Sequence, residues 1–242
     1  MSKTLAIVNH SGGSGKTTTA FWLAKHLSEM GADVTLIDAD AQGDLTAMCG
    51  GLTALGTLFD VLTGRNTING ISQHTGAAGC NLVASDDRLT QCVAWMQAQT
   101  PNHTFMRDAI KRANGDRLYI IDCAPSLDVM MVNALVAADA VIVACNAEDK
   151  AARAAGRVTQ YIADLNQQLQ MNTRILGAAV TQVPLRQGEA YITKNATAID
   201  EIMRHAMILA MIPRRDGQDA ARHIGEAYRP VAQSVGEEMG IL

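Results

Sequence analysis

The densest chemistry in this chain lies in Val8-Asn9-His10-Ser11-Gly12-Gly13-Ser14-Gly15-Lys16-Thr17-Thr18, where an apolar run gives way to three glycines and then to Gly-Lys-Thr. Glycines without a Cβ let consecutive backbone N–H groups converge on an anion, and the positive end of a following helix stands behind the same point. In such a cradle Lys16 reaches the β- and γ-phosphates of a nucleoside triphosphate, and the Thr17 hydroxyl can bind Mg²⁺. Ser11, Gly12, Gly13, Ser14, Gly15, Lys16, Thr17 and Thr18 are therefore the candidate nucleotide-binding residues. His10 occupies the place of the first glycine in the regular pattern, six residues before the lysine.

Three further groups could work on the same phosphates. In Leu36-Ile37-Asp38-Ala39-Asp40-Ala41-Gln42, strand alternation would point Asp38 and Asp40 to one side, toward the loop. Carboxylates there can hold the water shell of Mg²⁺ or orient an attacking water, since phosphoryl transfer needs positioning and charge neutralisation more than covalent chemistry. Taken alone, the same residues also suit a solvated strand-to-loop turn. Asp122, in Ile120-Ile121-Asp122-Cys123-Ala124-Pro125-Ser126-Leu127, follows four apolar strand residues, and burying it there is costly without a cation or hydrogen bonds. A Mg²⁺ role, shared with Thr17 and Asp38, is the economical reading. Thr181, Gln182 and Pro213 fall at the ends of later apolar runs, where they suit either contact with adenine or an ordinary loop.

Such residues need a scaffold that brings several strand ends together. Leu5–Val8, Val34–Ile37, Leu118–Ile121, Ala140–Ala144 and Ile175–Val180 are short and almost continuously apolar, as parallel strands covered on both faces are. Between them, Val158, Ile162, Leu165 and Leu169 recur at helical spacing and give the segment from about Ala151 to Leu169 one apolar face. The alternation predicts an α/β fold, a doubly wound, mainly parallel sheet with helices on both faces, whose ligands gather at the carboxyl ends of the strands. With 242 residues, 48% of them hydrophobic, and no Pro/Ser-rich linker, residues 1–242 read as a single domain.

Composition narrows the setting. Five scattered cysteines without a CxxC pair argue against a disulfide framework and a zinc or iron–sulfur site, so a reducing cytoplasm is expected. No leader is expected at the start, and no apolar run approaches the ~20 residues of a membrane span. The net charge of −4 is uneven: residues 1–149 carry nine Lys/Arg against fifteen Asp/Glu, and residues 150–242 eleven against nine. Any nucleic-acid contact must be local, and an ordinary mixed-charge surface accounts for the same counts.

Together these segments resemble the ParA/MinD family of positioning ATPases almost end to end. Gly12 to Thr18 is similar to its variant phosphate loop, Asp38-Ala39-Asp40-Ala41-Gln42-Gly43 to its switch I, and Ile121 to Leu127 to its Walker B segment. Thr57 to Gly64, Asn81-Leu82-Val83-Ala84-Ser85 and Ile212-Pro213-Arg214 are weaker echoes. The resemblance implies that ATP with Mg²⁺ joins two subunits into a dimer. It further implies that the dimer binds DNA without sequence preference or binds a membrane, and that an adaptor protein on the cargo stimulates hydrolysis, with Asp40 orienting the water.

One position departs from the family. Most relatives carry a lysine immediately before the glycine pair that crosses to the partner's phosphates, and this chain has Ser11. McdA-type carboxysome-positioning ATPases resemble it in lacking that lysine. Lys150, in Cys145-Asn146-Ala147-Glu148-Asp149-Lys150, is the substitute in sight; the other reading is a solvated lysine in the first turn of a helix. A MinD-like membrane anchor is not expected, because the tail from Gly225 to Leu242 has one Arg, a proline and two consecutive Glu. No separate DNA-binding domain is expected ahead of the first strand, so DNA contact falls to Arg214, Arg215, Arg222 and Arg229, with Lys194 and Arg204 in the same half.

The expectation is thus a cytoplasmic, nucleoid-associated ATPase that moves a cargo, a carboxysome first and a plasmid second. A dethiobiotin synthetase-like ligase, which also uses a phosphate loop without that lysine, and a non-hydrolysing ATP-bound scaffold are the alternatives.

Overall fold

A computed structural model describes residues 2–51, 53–184, 188–214 and 220–242. Its strands are β1 (Lys3–Val8), β2 (Val34–Ala39), β3 (Gln73–Thr75), β4 (Cys80–Val83), β5 (Leu118–Cys123), β6 (Ala140–Asn146), β7 (Arg174–Pro184) and β8 (Ile208–Arg214). They form one eight-stranded sheet in the order β3-β4-β2-β5-β1-β6-β7-β8, parallel throughout except where β3 runs against β4.

Helices cover both faces. On one side lie α1 (Lys16–Glu29), the short α2 (Asp44–Met48) and α11 (Ala220–Glu238). The other side carries α3 (Leu58–Leu62), α4 (Ile68–Ile71), α5 (Leu89–Gln97), α6 (Phe105–Arg112), α7 (Val129–Ala137), α8 (Asp149–Leu169) and α10 (Ala196–His205). The short α9 (Gly188–Lys194) precedes α10. Alternation along β1 explains the division: Leu5 and Ile7 pack among the α1 and α11 side chains, while Ala6 and Val8 face the α7–α8 layer. Because both faces are buried, the central strands are apolar at nearly every position. This is why all five predicted strands are present.

Two parts of the sheet were hidden from periodicity. The β3–β4 edge is short and begins with Gln73 and His74, and β7 runs four residues beyond the predicted Val180 because Val183 and Pro184 pair again with β8 after a register shift between Val180 and Val183. In α8, Val158, Ile162 and Leu165 are buried as the spacing predicts, and Leu169 packs partly buried against the same core.

Candidate functional site

The phosphate loop leaves β1 at the middle of the sheet and enters α1, so the helix's unpaired N–H groups point back into the loop. Gly13 and Gly15 adopt left-handed backbone angles, φ 68° and 86°. At Gly15 the space is also closed, since a Cβ would lie 2.8 Å from Thr181 Cγ2. Only glycine meets both demands.

The loop is tied from behind. The Thr181 hydroxyl donates to Ser14 O at 2.9 Å and Gln182 Nε2 donates to Gly13 O at 2.7 Å. Gln182 reaches that carbonyl from φ 60°, a conformation that costs a non-glycine residue about 1–2 kcal/mol, at the point where the pairing of β7 with β8 slips. Thr181 and Gln182 are therefore buttresses of the loop. Pro213 sits half-buried in β8 opposite Val183, outside the described lining of the cavity.

A cavity of about 380 Å³ opens above the loop, lined by Gly12 to Thr18 together with Asp40, Gln42, Asp44, Pro125 and Gln182. That volume suits a small ligand. Lys16 is 7% exposed, and its Nζ donates to Ser11 O at 3.1 Å. Burial lowers its pKa against the opposing pull of Asp122 and Asp40, so an incoming phosphate would supply an anion to a partly desolvated ammonium.

Asp38 and Asp122 stand side by side in the β2–β5 register. The Asp38 carboxylate, fully buried, accepts from Thr46 N at 2.8 Å, from the Thr46 hydroxyl at 2.7 Å and from Asp40 N at 3.2 Å. Of the two carboxylates expected to face the loop, only Asp40 lines the cavity, while Asp38 is engaged by α2. Asp122 is 1% exposed, and among the described residues neither of its oxygens has a hydrogen bond of good geometry. Burial, reinforced by Asp38, pushes its pKa up to about 8, and the nearby Thr17 hydroxyl and Lys16 only partly offset this. Burial likewise raises Asp38 to about 6 against its Thr46 bonds. An unpartnered carboxylate beside a threonine hydroxyl fits Mg²⁺, a hard cation that takes one or two protein oxygens and completes its shell with phosphate and water.

The sign of the pH effect follows. A carboxyl whose folded pKa exceeds its unfolded value of about 4 stabilises the fold fully below that pH and loses the contribution as pH rises through about 8. In thermal melts with chelator and without nucleotide, the parental chain should lose stability between about pH 4 and 8. Asp122→Asn should remove part of that loss, on the order of 5 °C. Identical pH profiles for the two chains would contradict the burial of an unpaired Asp122.

The remaining predicted residues lie elsewhere. Lys150 is exposed in the first turn of α8, outside the described lining of the cavity. Arg214 is exposed at the end of β8, and Arg215 falls outside the described residues. Arg222 and Arg229, on α11, are exposed but paired, Arg222 with Glu226 at 3.4 Å and Arg229 with Glu29 at 3.6 Å. Helix α11 is itself fastened to α1: the Tyr228 hydroxyl lies 2.8 Å from that of Thr19, which also bonds Gly15 O, and His26 Nε2 meets Gly225 O at 2.8 Å.

Reading by motif missed Asp44, which lines the cavity, and Thr46, which engages Asp38. Both follow Gly43 at the start of α2, and the only sequence signal was a glycine beside an acidic residue at a helix start. Among the described residues no helix is long and apolar enough to cross a membrane.

A protein-family model described as an AAA domain matches residues 2–175. The chromosome partitioning protein ParA of Caulobacter vibrioides is 37% identical over 190 residues, covering 76% of this chain and 71% of that protein. Among solved structures, cobyrinic acid a,c-diamide synthase from Mycobacterium smegmatis with bound ADP and magnesium is similar at a TM-score of 0.85 and 28% identity, covering 99% of this chain and 97% of that one. A Cyanothece McdA variant in complex with ATP reaches the same TM-score at 24% identity, over 100% of this chain and 97% of that one, a likeness of fold. The P-loop fold, the cradle with its facing carboxylates, and this degree of identity agree: the chain belongs to the ParA family of P-loop ATPases.

Proposed function

We propose that this chain is an ATP-dependent dimerising ATPase that binds nucleoid DNA without sequence preference in the cytoplasm and positions a cargo through an adaptor protein that stimulates hydrolysis. The observation that carries the reading is the tied phosphate loop facing Asp40 across one cavity. Loop N–H groups and Lys16 bind the phosphates, and Asp40, in the loop just past β2, orients the attacking water. Mg²⁺, when bound, offsets phosphate charge, with Thr17 and Asp122 as its holders and Asp38 behind them.

Dimerisation would bring two sets of phosphates into a poorly screened space, and Ser11 has no charge to offset them. Lys150, exposed at the start of α8, is the cation proposed to cross from the partner subunit. For the cargo, the serine at position 11 and the fold shared with McdA favour a carboxysome. The higher identity to a chromosome partitioning protein favours a DNA cargo, such as a plasmid, as the second reading. Likeness to the diamide synthase keeps an ATP-dependent ligase in view, as a third reading from a different class.

DNA binding separates these classes. With ATP and Mg²⁺ the chain should sediment as a dimer and shift DNA of any sequence, with an affinity that weakens steeply with salt, the log–log slope growing by about 0.9 for each DNA phosphate that the arginines neutralise. Reversing the charge of Arg214, Arg215, Arg222 and Arg229 should abolish the shift and leave the dimer intact. Lys150→Ala should lose the dimer first. Equal DNA affinity with ADP and ATP, or none at low salt, would overturn the carrier reading and bring the ligase forward.

A further inference from the structure

Asp40 lines the cavity, and its backbone is held by two near neighbours in the chain and by one residue far away in it. Its N–H donates to Asp38 Oδ1 at 3.2 Å. Its carbonyl accepts from Gly43 N at 3.0 Å and from the hydroxyl of Ser85, a residue just past β4 that is 3% exposed. Ser85 grips a second point as well: its N–H donates to Thr46 Oγ1 at 2.8 Å, and that hydroxyl in turn donates to Asp38 Oδ2 at 2.7 Å. The Thr46 hydroxyl thereby links the two, its single donor spent on Asp38 while it accepts from Ser85. Every bond in the set lies between residues at one end of β2, β4 and α2.

We propose that Ser85 and Thr46 are positioning residues for hydrolysis: Ser85 pins the Asp40 carbonyl and, through Thr46, the Asp38 carboxylate, so that the Asp40 side chain is held at one place over the phosphate loop. Asp38 then acts chiefly as the anchor of that clamp. The proposal rests on the reading of this site as one that hydrolyses ATP. A carboxylate that aims a water must be fixed to a fraction of an ångström, and a loop residue gains such precision only from bonds that restrain its own backbone. Ser85 supplies the one side-chain bond to the Asp40 carbonyl among the described residues.

The test uses Ser85→Ala, which keeps the Ser85 N–H to Thr46 and removes only the hydroxyl, alongside Thr46→Val and the hydroxyl-keeping Thr46→Ser. Three quantities are measured: ATP turnover, ATP affinity by calorimetry, and amide hydrogen exchange over residues 38–46 in the nucleotide-free chain. Ser85→Ala and Thr46→Val should lower turnover about 10- to 100-fold with affinity held within about threefold, and Thr46→Ser should behave as the parent. Exchange at the Asp40 and Gly43 amides should quicken in Ser85→Ala. Parental turnover together with parental exchange in Ser85→Ala would overturn the clamp, as would affinity and turnover falling in step, which would mark Ser85 as a prop of the fold. Should the parental chain bind ATP without turning it over, the hydrolytic reading fails on its own account and the exchange result alone decides the clamp.

Discussion

Lys16→Ala should lose ATP affinity by about 10- to 100-fold, the worth of a charge-assisted bond to phosphate in a poorly solvated site, and every ATP-dependent step should fall with it. The fold should survive. Lys16 is nearly buried, its ammonium is held below its ordinary pKa by burial, and among the described residues that ammonium donates to one loop carbonyl, Ser11 O. Removing it relieves a desolvation cost as it removes that bond, so melting temperature without nucleotide should stay close to the parental value. Titration calorimetry and a thermal melt on the same preparation read both halves. Parental ATP affinity would sink the assignment of the phosphate loop.

Asp40→Ala should separate binding from chemistry. Asp40 lines the cavity just past β2 and, among the described residues, lends a side-chain oxygen to Gln42 N alone, at 3.0 Å, so its loss leaves the loop and its buttresses in place. ATP should bind at least as well, because a negative charge has left the neighbourhood of the phosphates. Hydrolysis should drop by about 10²- to 10⁴-fold, the usual worth of a positioned base or water-orienting group. The variant should accumulate as an ATP-bound dimer that does not release DNA. Asp38→Asn is the contrasting case: it weakens the acceptor for two Thr46 donors and disturbs the strand end itself, so stability should suffer along with turnover. If Asp40→Ala turns over ATP at the parental rate, the water-orienting role passes to Asp38.

Much of this site was legible because its signals are local. Glycines at fixed spacing before Gly15-Lys16-Thr17 encode a backbone shape, and an Asp after a run of strand residues encodes a carboxylate at a sheet end; neither needs knowledge of distant partners. The fold followed from the near-continuous apolar character of β1, β2, β5 and β6, which only a sheet buried on both faces requires. Alternation placed Asp38 and Asp40 on one side. It could not say that Thr46 would claim the first and leave the second to the cavity, because that depends on where α2 begins after Gly43. Thr181 and Gln182 were expected near adenine or in a loop; they brace the cradle because β7 slips against β8 there, a long-range event with no periodic trace. Ser85 lay within a segment noted only as a weak family echo, since nothing nearby in sequence reveals that its hydroxyl meets a carbonyl forty-five residues earlier.

The ties on the loop carbonyls bear on how a ligand arrives. With Ser14 O held by Thr181, Gly13 O by Gln182 and Ser11 O by Lys16, three of the loop's acceptors are already engaged, and the ordering entropy of those peptides is met when the chain folds. An entering triphosphate would therefore find these peptides already tied, and Lys16 is the one of the three ties made by a cation. Lys16 must trade the Ser11 carbonyl for a phosphate oxygen, so its side chain serves as the latch of a cradle that is otherwise set.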